Sequence, residues 1–259
     1  MILLDLIIRN GMVIDGTGSP KFKADIGVKG DSVIAIGEVS GTAIREIDAS
    51  GAVVTPGFID LHTHSDNSFL VDPLADSKLT QGVTFELMGN CGMSFCAPLN
   101  SQTIDDFNTR TNKFDPDYKP GWSTMDGYLS ALENTGSTIN IAAQVGHGTV
   151  RRSVMGMDPC MPTPEQLDRM KGLMAESLDA GALGMSTGLW YPPGSYSLTD
   201  EVIAVTQPAA DRGKLYSSHI RSEADDLSGL FPAHAEAIEV GRRTGARIQI
   251  SHVKAVGPQ

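Results

Sequence analysis

Histidine and cysteine side chains in this 259-residue sequence are concentrated at the ends of predicted strands. Five of the six histidines, and one of the three cysteines, follow short apolar runs that have the length of a β-strand. Imidazoles and thiolates bind metal ions, and imidazoles also transfer protons, so their convergence would create a reactive site. The residues concerned are His62, His64, Cys91, His147, His219 and His252.

His62 and His64 form an H-x-H pair on a segment that we expect to be extended. Because side chains alternate along an extended chain, both imidazoles point to the same face and can bind one metal ion. The pair alone is a weak motif, since two surface histidines at a strand end would have the same spacing. His147 can either line such a site or hydrogen-bond to a neighbouring loop, and His234 lies on a predicted helix facing solvent.

The elements that must position these side chains alternate regularly after residue 52. Near-continuous apolar runs alternate with helical patterns, which indicates a parallel sheet buried on both faces. In a (β/α)8 barrel the carboxyl ends of the strands meet on one face, so distant residues become neighbours there. We predict a partial TIM-like barrel over residues 53–259, with about six of eight strands. These strands are expected at 53–61, 83–88, 138–145, 182–186, 215–218 and 247–251.

The segments between the strands carry helix signals of different clarity. Thr163-Pro164-Glu165-Gln166 predicts a helix start with a capping box and a proline in the first turn. A second helix opens at Thr199, and Pro208 is expected to kink or shorten it. Residues 100–120 are polar and predict a long irregular loop.

Residues 1–52 predict a separate, small β unit. Short apolar runs are separated by turn signals such as Asn10-Gly11, Asp15-Gly16 and Lys29-Gly30-Asp31. This regular spacing is typical of a β-sandwich or a portion of one. Fifty residues provide a thin core, so we expect this unit to pack on the rest of the protein.

Several motifs resemble the amidohydrolase superfamily. The segment Phe58-Ile59-Asp60-Leu61-His62-Thr63-His64-Ser65-Asp66, directly after Pro56-Gly57, resembles the signature that ends the first barrel strand of that superfamily. The segment Gly89-Asn90-Cys91-Gly92-Met93-Ser94 resembles the cysteine motif of the N-acyl-D-amino-acid deacylases, or D-aminoacylases. The segments 217–223 and 249–254 are similar to the fifth- and sixth-strand motifs of those enzymes.

The resemblance implies a zinc site and a substrate site. A thiolate with two or three imidazoles is a zinc-selective set of ligands, and one or two ions are compatible with it. Tyr191 and Lys254 are implied to bind a substrate carboxylate, although a packed tyrosine and an exposed lysine are equally open. The implied metal ligands are His62, His64, Cys91, His219 and His252.

The implied reaction is zinc-dependent hydrolysis of an N-acyl-D-amino acid to a carboxylate and a free D-amino acid. The proton shuttle of the resembled enzymes is an aspartate after the eighth barrel strand. No residue of this chain matches it, so we expect the aspartate beyond Gln259 and the sequence to be the N-terminal portion of a longer deacylase.

Two alternative functions stay open beside this interpretation. The chain can be an inactive metal-binding fragment or pseudoenzyme, because the aspartate is not in the sequence. It can also be a cyclic amidohydrolase of the dihydroorotase or hydantoinase type. That second alternative is disfavoured, because the predicted fourth strand, residues 182–186, has no lysine to bridge two metals.

The composition restricts the partners. Lys and Arg total 20 against 31 Asp and Glu, so the net charge is 20 − 31 = −11. This balance disfavours nucleic acid and anionic membranes as partners, and it is compatible with a small-molecule substrate. Three cysteines are too few for a disulfide framework, and the apolar start resembles no signal peptide or membrane span. We therefore expect a cytoplasmic protein, whose oligomeric state the sequence leaves open.

Overall fold

The computed structural model describes residues 3–224 and 229–256. The chain divides into two compact units, Met1–Phe58 and Ile59–Gln259. The domain boundary at residue 52 stays a prediction.

The first unit is a five-stranded sheet. Its strands are β1 (Leu4–Val13), β2 (Phe22–Lys29), β3 (Ser32–Gly37), β4 (Ala43–Asp48) and β5 (Val53–Val54). β2 pairs antiparallel with β1 and β3, whereas β4 and β5 pair parallel with β1. Gly30, one of the predicted turn residues, has a φ of 59° in the turn between β2 and β3, a conformation that glycine adopts without strain.

Apolar side chains are buried on both faces of this sheet, because the adjacent residues Ile7 and Ile8 of β1 point to opposite faces and pack in different clusters. One small cluster contains Leu4, Ile7 and Val39, and a second contains Val13, Ala24 and Ile26. The predicted sandwich portion therefore corresponds to one sheet with a thin layer of apolar residues on either side.

The second unit contains a six-stranded sheet that has the sequential order of a barrel. The strands are β6 (Phe58–Asp60), β7 (Val83–Met88), β8 (Asn140–Gly146), β9 (Gly184–Gly188), β10 (Leu215–His219) and β11 (Arg247–Ile250). The sheet order is β11-β10-β9-β8-β7-β6, and the pairs from β7 to β11 are parallel. The predicted fold class, a partial barrel of six strands preceded by a β unit, is confirmed.

The predicted strand over residues 53–61 is wrong in one respect. Val53–Val54 pairs with β1 in the first unit, and only Phe58–Asp60 joins the barrel sheet. Pro56 separates the two pieces, because a proline has no N–H for a strand ladder and restricts the residue before it. The two short apolar runs on either side of Thr55-Pro56-Gly57 therefore have different partners.

Helices cover the barrel strands. They are α1 (Ser68–Val71), α2 (Asp76–Leu79), α3 (Ile104–Thr111), α4 (Met125–Thr135), α5 (His147–Met155), α6 (Pro164–Asp179), α7 (Thr199–Asp211) and α8 (Leu230–Thr244), with a 3₁₀ turn at Gly194–Tyr196. The capping box of α6 forms as predicted between Thr163 and Gln166. Met170, Met174 and Leu178 of this helix are buried in the main core, each contributing about 1.5–3 kcal/mol of transfer free energy.

One helix prediction needs correction, and a second is tested only in part. The segment 100–120 is not an irregular loop throughout, because it contains α3, which buries Phe107 and Thr111. Helix α7 continues past Pro208 and ends at Asp211, so the proline does not end the helix, and a kink at Pro208 stays a prediction. Among the described residues, no helix combines the length and the apolar character that a membrane span requires.

Candidate metal centre

The carboxyl ends of four barrel strands bring the predicted metal ligands together. His62 and His64 follow β6, Cys91 follows β7, His219 ends β10 and His252 follows β11. Their potential ligand atoms form two groups of three, each with all atoms within 4.8 Å of one another. One group is His62, His64 and Cys91, and the other is Cys91, His219 and His252. Cys91 therefore belongs to both.

The distances between these atoms fit metal coordination. The Sγ atom of Cys91 lies 3.2 Å from Nε2 of His62 and 3.6 Å from Nε2 of His252. Sulfur and nitrogen ligands of a tetrahedral zinc ion are about 3.5 Å apart, given the usual bond lengths. The ring centroids of His219 and His252 are 4.4 Å apart, and those of His62 and His64 are 5.5 Å apart. That these five residues bind a metal ion stays a prediction.

The loop that carries Cys91 is held in an uncommon backbone conformation. Cys91 has a φ of 56°, and Gly89 and Gly92 on either side have φ values of 73° and 71°. A Cβ atom on Gly92 would lie 2.5 Å from the backbone nitrogen of Gly188, so only glycine allows this approach to β9. His252, also outside a strand, has a φ of 34°. Left-handed backbone at non-glycine residues costs free energy and is often retained at functional sites.

Burial favours the neutral state of the histidines. It lowers the pKa of His62 to about 4, with help from the nearby His252, His64 and His219. It also lowers the pKa of His219 to about 4, with His252 as the next cause. A neutral imidazole is the form that binds a metal, so two of the predicted ligands are already in that form at neutral pH.

The thiol of Cys91, unlike the two histidines, is in the protonated form, which does not bind a metal. Burial raises its pKa to about 11, although Tyr191 opposes the shift. A thiol must lose its proton to bind a metal, so binding at Cys91 would release a proton. Nδ1 of His62 and both ring nitrogens of His219 are buried and make no hydrogen bond within the described residues. Unsatisfied buried nitrogens beside a thiol fit a metal ion as the missing partner.

Glu223 is a residue of the site to which the sequence analysis gave no role. Its side chain is 3% exposed, and its Oε1 atom lies 2.6 Å from Nδ1 of His252 and 3.8 Å from Nε2 of His219. Burial would raise the pKa of Glu223, but Lys254, His252 and His219 together lower it, so the group is a carboxylate at neutral pH. The signal in the sequence was a carboxylate four residues after His219, in the segment 217–223.

The two predicted substrate residues have partners within the chain. The Tyr191 hydroxyl donates to the carbonyl oxygen of Cys91 at 2.6 Å. The Nζ atom of Lys254 lies 2.7 Å from Oε2 of Glu223 and 3.1 Å from Nδ1 of His252. Tyr191 lines a cavity of about 320 Å³ that also borders Cys91. Substrate binding by Tyr191 and Lys254 stays a prediction.

His147 does not join this centre. It is fully buried, and its Nε2 atom lies 3.0 Å from Oε1 of Glu201, which also accepts from Arg151. Of the two roles left open for His147, the structure favours the hydrogen-bonded one. His234 is half-buried, with Nδ1 2.9 Å from the Leu230 carbonyl oxygen.

Comparison with known proteins assigns the class. A model of the amidohydrolase family matches residues 45–255, and the chain belongs to that family. Within the family, an N-acyl-D-glutamate deacylase of Alcaligenes xylosoxydans xylosoxydans is 40% identical over 257 residues. The matched region is 98% of this chain and 51% of that protein.

Two solved structures share the fold closely. A D-aminoacylase studied for its binuclear metal centre matches with a TM-score of 0.89 and 37% identity, over 98% of this chain and 52% of that one. An N-acyl-D-glutamate deacylase from Bordetella bronchiseptica, solved with zinc and a phosphonate inhibitor, matches with a TM-score of 0.87 and 38% identity. That match covers 100% of this chain and 53% of the other, so the chain spans about half the length of these relatives.

Proposed function

We propose that this chain carries the metal-binding part of a zinc-dependent N-acyl-D-amino-acid deacylase. The observation that carries the proposal is the position of Cys91, whose Sγ atom belongs to both groups of three potential ligands. The similarity to deacylases over 98% of the chain supports the same substrate class. The residues that would hold zinc are His62, His64, Cys91, His219 and His252.

The residues of the chain have different roles in the proposed reaction. A bound zinc ion would supply Lewis-acid polarisation of the acyl carbonyl and activation of a water molecule. Glu223 would support His252 electrostatically, because its carboxylate lies beside Nδ1 while Nε2 of the same ring faces Cys91. The cavity beside Cys91 provides room for the substrate. We assign the proton shuttle to no residue of this chain.

The fourth barrel strand supports a cysteine-based centre over a lysine-bridged one. Strand β9 consists of Gly184–Gly188, with the sequence GMSTG, and all five residues are buried. Its Ser186 hydroxyl accepts a hydrogen bond from the backbone N–H of Gly92 at 2.9 Å, so this strand supports the Cys91 loop instead of offering a ligand. A cyclic amidohydrolase with a bridging lysine on that strand is therefore not proposed.

The test uses the zinc-loaded deacylase of which we propose this chain to be the metal-binding part. It measures hydrolysis of N-acetyl-D-glutamate, N-acetyl-D-aspartate and N-acetyl-D-leucine, with the L enantiomers as controls. We expect release of the free D-amino acid and no release from the L forms. Removal of zinc by a chelator should stop the release, and added zinc should restore it. If zinc is bound but no substrate is hydrolysed, the protein is an inactive metal-binding member of the family.

A further inference from the structure

The cavity beside the metal centre contains more than the predicted site residues. Its volume of about 320 Å³ is within the range of small-molecule sites. Cys91 and Tyr191 border one part of it, and Arg110 and Phe95 border another. Arg110 lies in the last turn of α3, within the segment predicted to be an irregular loop.

Arg110 is held by an aromatic ring and not by an acid. The centre of its guanidinium lies 3.4 Å from the centroid of the Phe95 ring, which fixes the plane of the group. Within the described residues, Arg110 donates no hydrogen bond and lies within 4 Å of no carboxylate oxygen. Asp66 and Asp106 attract it only at longer range.

The other arginines show why this is unusual. Arg152 lines the same cavity, but its Nη1 atom is paired with Asp106. Arg45 and Arg169 also have no hydrogen-bonded partner in the described part of the chain, but both are exposed. Arg110 is half-buried, and burial lowers its pKa. A partly desolvated cation without an anion carries an uncompensated cost, which a bound anion would remove.

We propose that Arg110 binds a carboxylate of the substrate in this cavity. The inference rests on the proposed function, because it assigns a residue to the substrate of that same site. A guanidinium presents two parallel N–H groups to a carboxylate, and stacking on Phe95 orients them in advance. Lys254, predicted for this role, is already paired with Glu223. The carboxylate can be the α-carboxylate of every N-acyl-amino acid or the side-chain carboxylate of an acidic one.

The test measures equilibrium binding, so it does not depend on turnover. The probes are the N-methylphosphonyl derivatives of D-glutamate, D-leucine and D-leucinamide, in which the phosphonyl group replaces the acyl carbonyl. Calorimetry with the zinc-loaded protein compares wild type with Arg110→Met. We expect the variant to bind the carboxylate probes at least about tenfold more weakly, as loss of a bidentate charged pair implies. Binding of the leucinamide probe should stay the same.

The two carboxylate probes distinguish the sources. A loss for both the leucine and the glutamate probe identifies the α-carboxylate, whereas a loss for the glutamate probe alone identifies the side-chain carboxylate. Arg169→Met is the matched control, since it removes an exposed arginine that does not line this cavity. If Arg110→Met does not fold, Arg110→Gln takes its place.

The inference is overturned if the variant binds both carboxylate probes within twofold of wild type, or if wild type binds neither. It is also overturned if all three probes lose affinity equally, which would indicate a structural role. Failure of the proposed function gives a different result: the wild-type deacylase then hydrolyses no N-acetyl-D-amino acid.

Discussion

The Oε1 atom of Glu223 lies 2.6 Å from Nδ1 of His252, on the side of the ring opposite the nitrogen that faces Cys91. The same carboxylate pairs with Lys254 at 2.7 Å through its second oxygen. This contact is electrostatic, because Oε1 makes no hydrogen bond with the residues that the structure describes and the Nζ atom of Lys254 also lies 3.1 Å from Nδ1. Glu223 therefore connects His252 of the predicted metal centre to Lys254, which lies two residues after His252.

Glu223→Gln should weaken zinc binding about 10-fold to 100-fold, as loss of such a supporting carboxylate usually does. The glutamine keeps the shape of the side chain but loses the negative charge that lies beside His252 and pairs with Lys254. Competition for zinc with a chromophoric chelator measures the affinity without an activity assay. Glu239→Gln is the control, because Glu239 pairs with Arg242 on α8. Equal zinc affinity in Glu223→Gln and wild type would show that Glu223 does not position His252.

Cys91→Ala should remove most of the bound zinc, because Cys91 is common to both groups of ligands. His64→Ala should have a smaller effect, since it removes one ligand from only one group. Elemental analysis after dialysis gives the zinc content per chain. Cys160→Ala serves as the control, because Cys160 is an exposed free cysteine outside the centre. Unchanged zinc content in Cys91→Ala would reject the assignment of the cysteine.

The arrangement of the site could be predicted from the sequence because strand ends determine it. The apolar runs before His62, Cys91, His219 and His252 were visible without a structure. In a parallel sheet with helical crossovers, residues after such runs meet on one face whatever their separation along the chain. The same reasoning also allowed His147 to line the centre, but in the structure the first turn of α5 directs it to Glu201.

The features that could not be predicted depend on contacts between residues that are distant in sequence. Residues 53–61 contain two short apolar runs separated by Thr55-Pro56-Gly57, and the sequence does not show that Val53 pairs with β1 while Phe58 joins the barrel. Helix α3 is polar and has few buried residues, so its pattern was too weak to separate from a loop. Arg110 was consequently overlooked. Glu223 was visible in its motif, but its contact with His252 is made across the site.

Glu201→Gln should destabilise the second unit by about 3 kcal/mol at pH 7, because it removes the carboxylate that pairs with the buried side chains of His147 and Arg151. Glu201 is 3% exposed and lies 3.0 Å from His147 and 3.1 Å from Arg151. Burial raises the pKa of Glu201, but His147 and Arg151 lower it overall to below the usual 4.5. Because the pKa is lower in the folded state, ionised Glu201 stabilises the fold at any pH above its pKa in the unfolded chain. This contribution is lost as the pH falls through its pKa in the folded protein.

Urea unfolding of the wild type and Glu201→Gln at pH 7 and at lower pH checks this expectation. The difference in free energy of unfolding should shrink below about pH 4.5 as Glu201 becomes protonated in the wild type. Glu176→Gln, at an exposed position of α6, should change little at any pH. A difference that stays constant with pH would show that the charge of Glu201 is not responsible.

Two glycine substitutions should have opposite effects on stability and separate the metal loop from ordinary helix. Gly92→Ala places a Cβ atom 2.5 Å from the backbone nitrogen of Gly188, at a φ of 71°, so the Cys91 loop must move away from β9. We expect a loss of more than about 2 kcal/mol together with weaker zinc binding. Gly172→Ala lies within α6 with nothing near its Cβ position, and it should stabilise by about 0.5–1 kcal/mol with zinc binding unchanged. Thermal unfolding and zinc competition measure both effects. Normal zinc affinity in a folded Gly92→Ala protein would mean that the close approach of this loop to β9 is not needed to place Cys91.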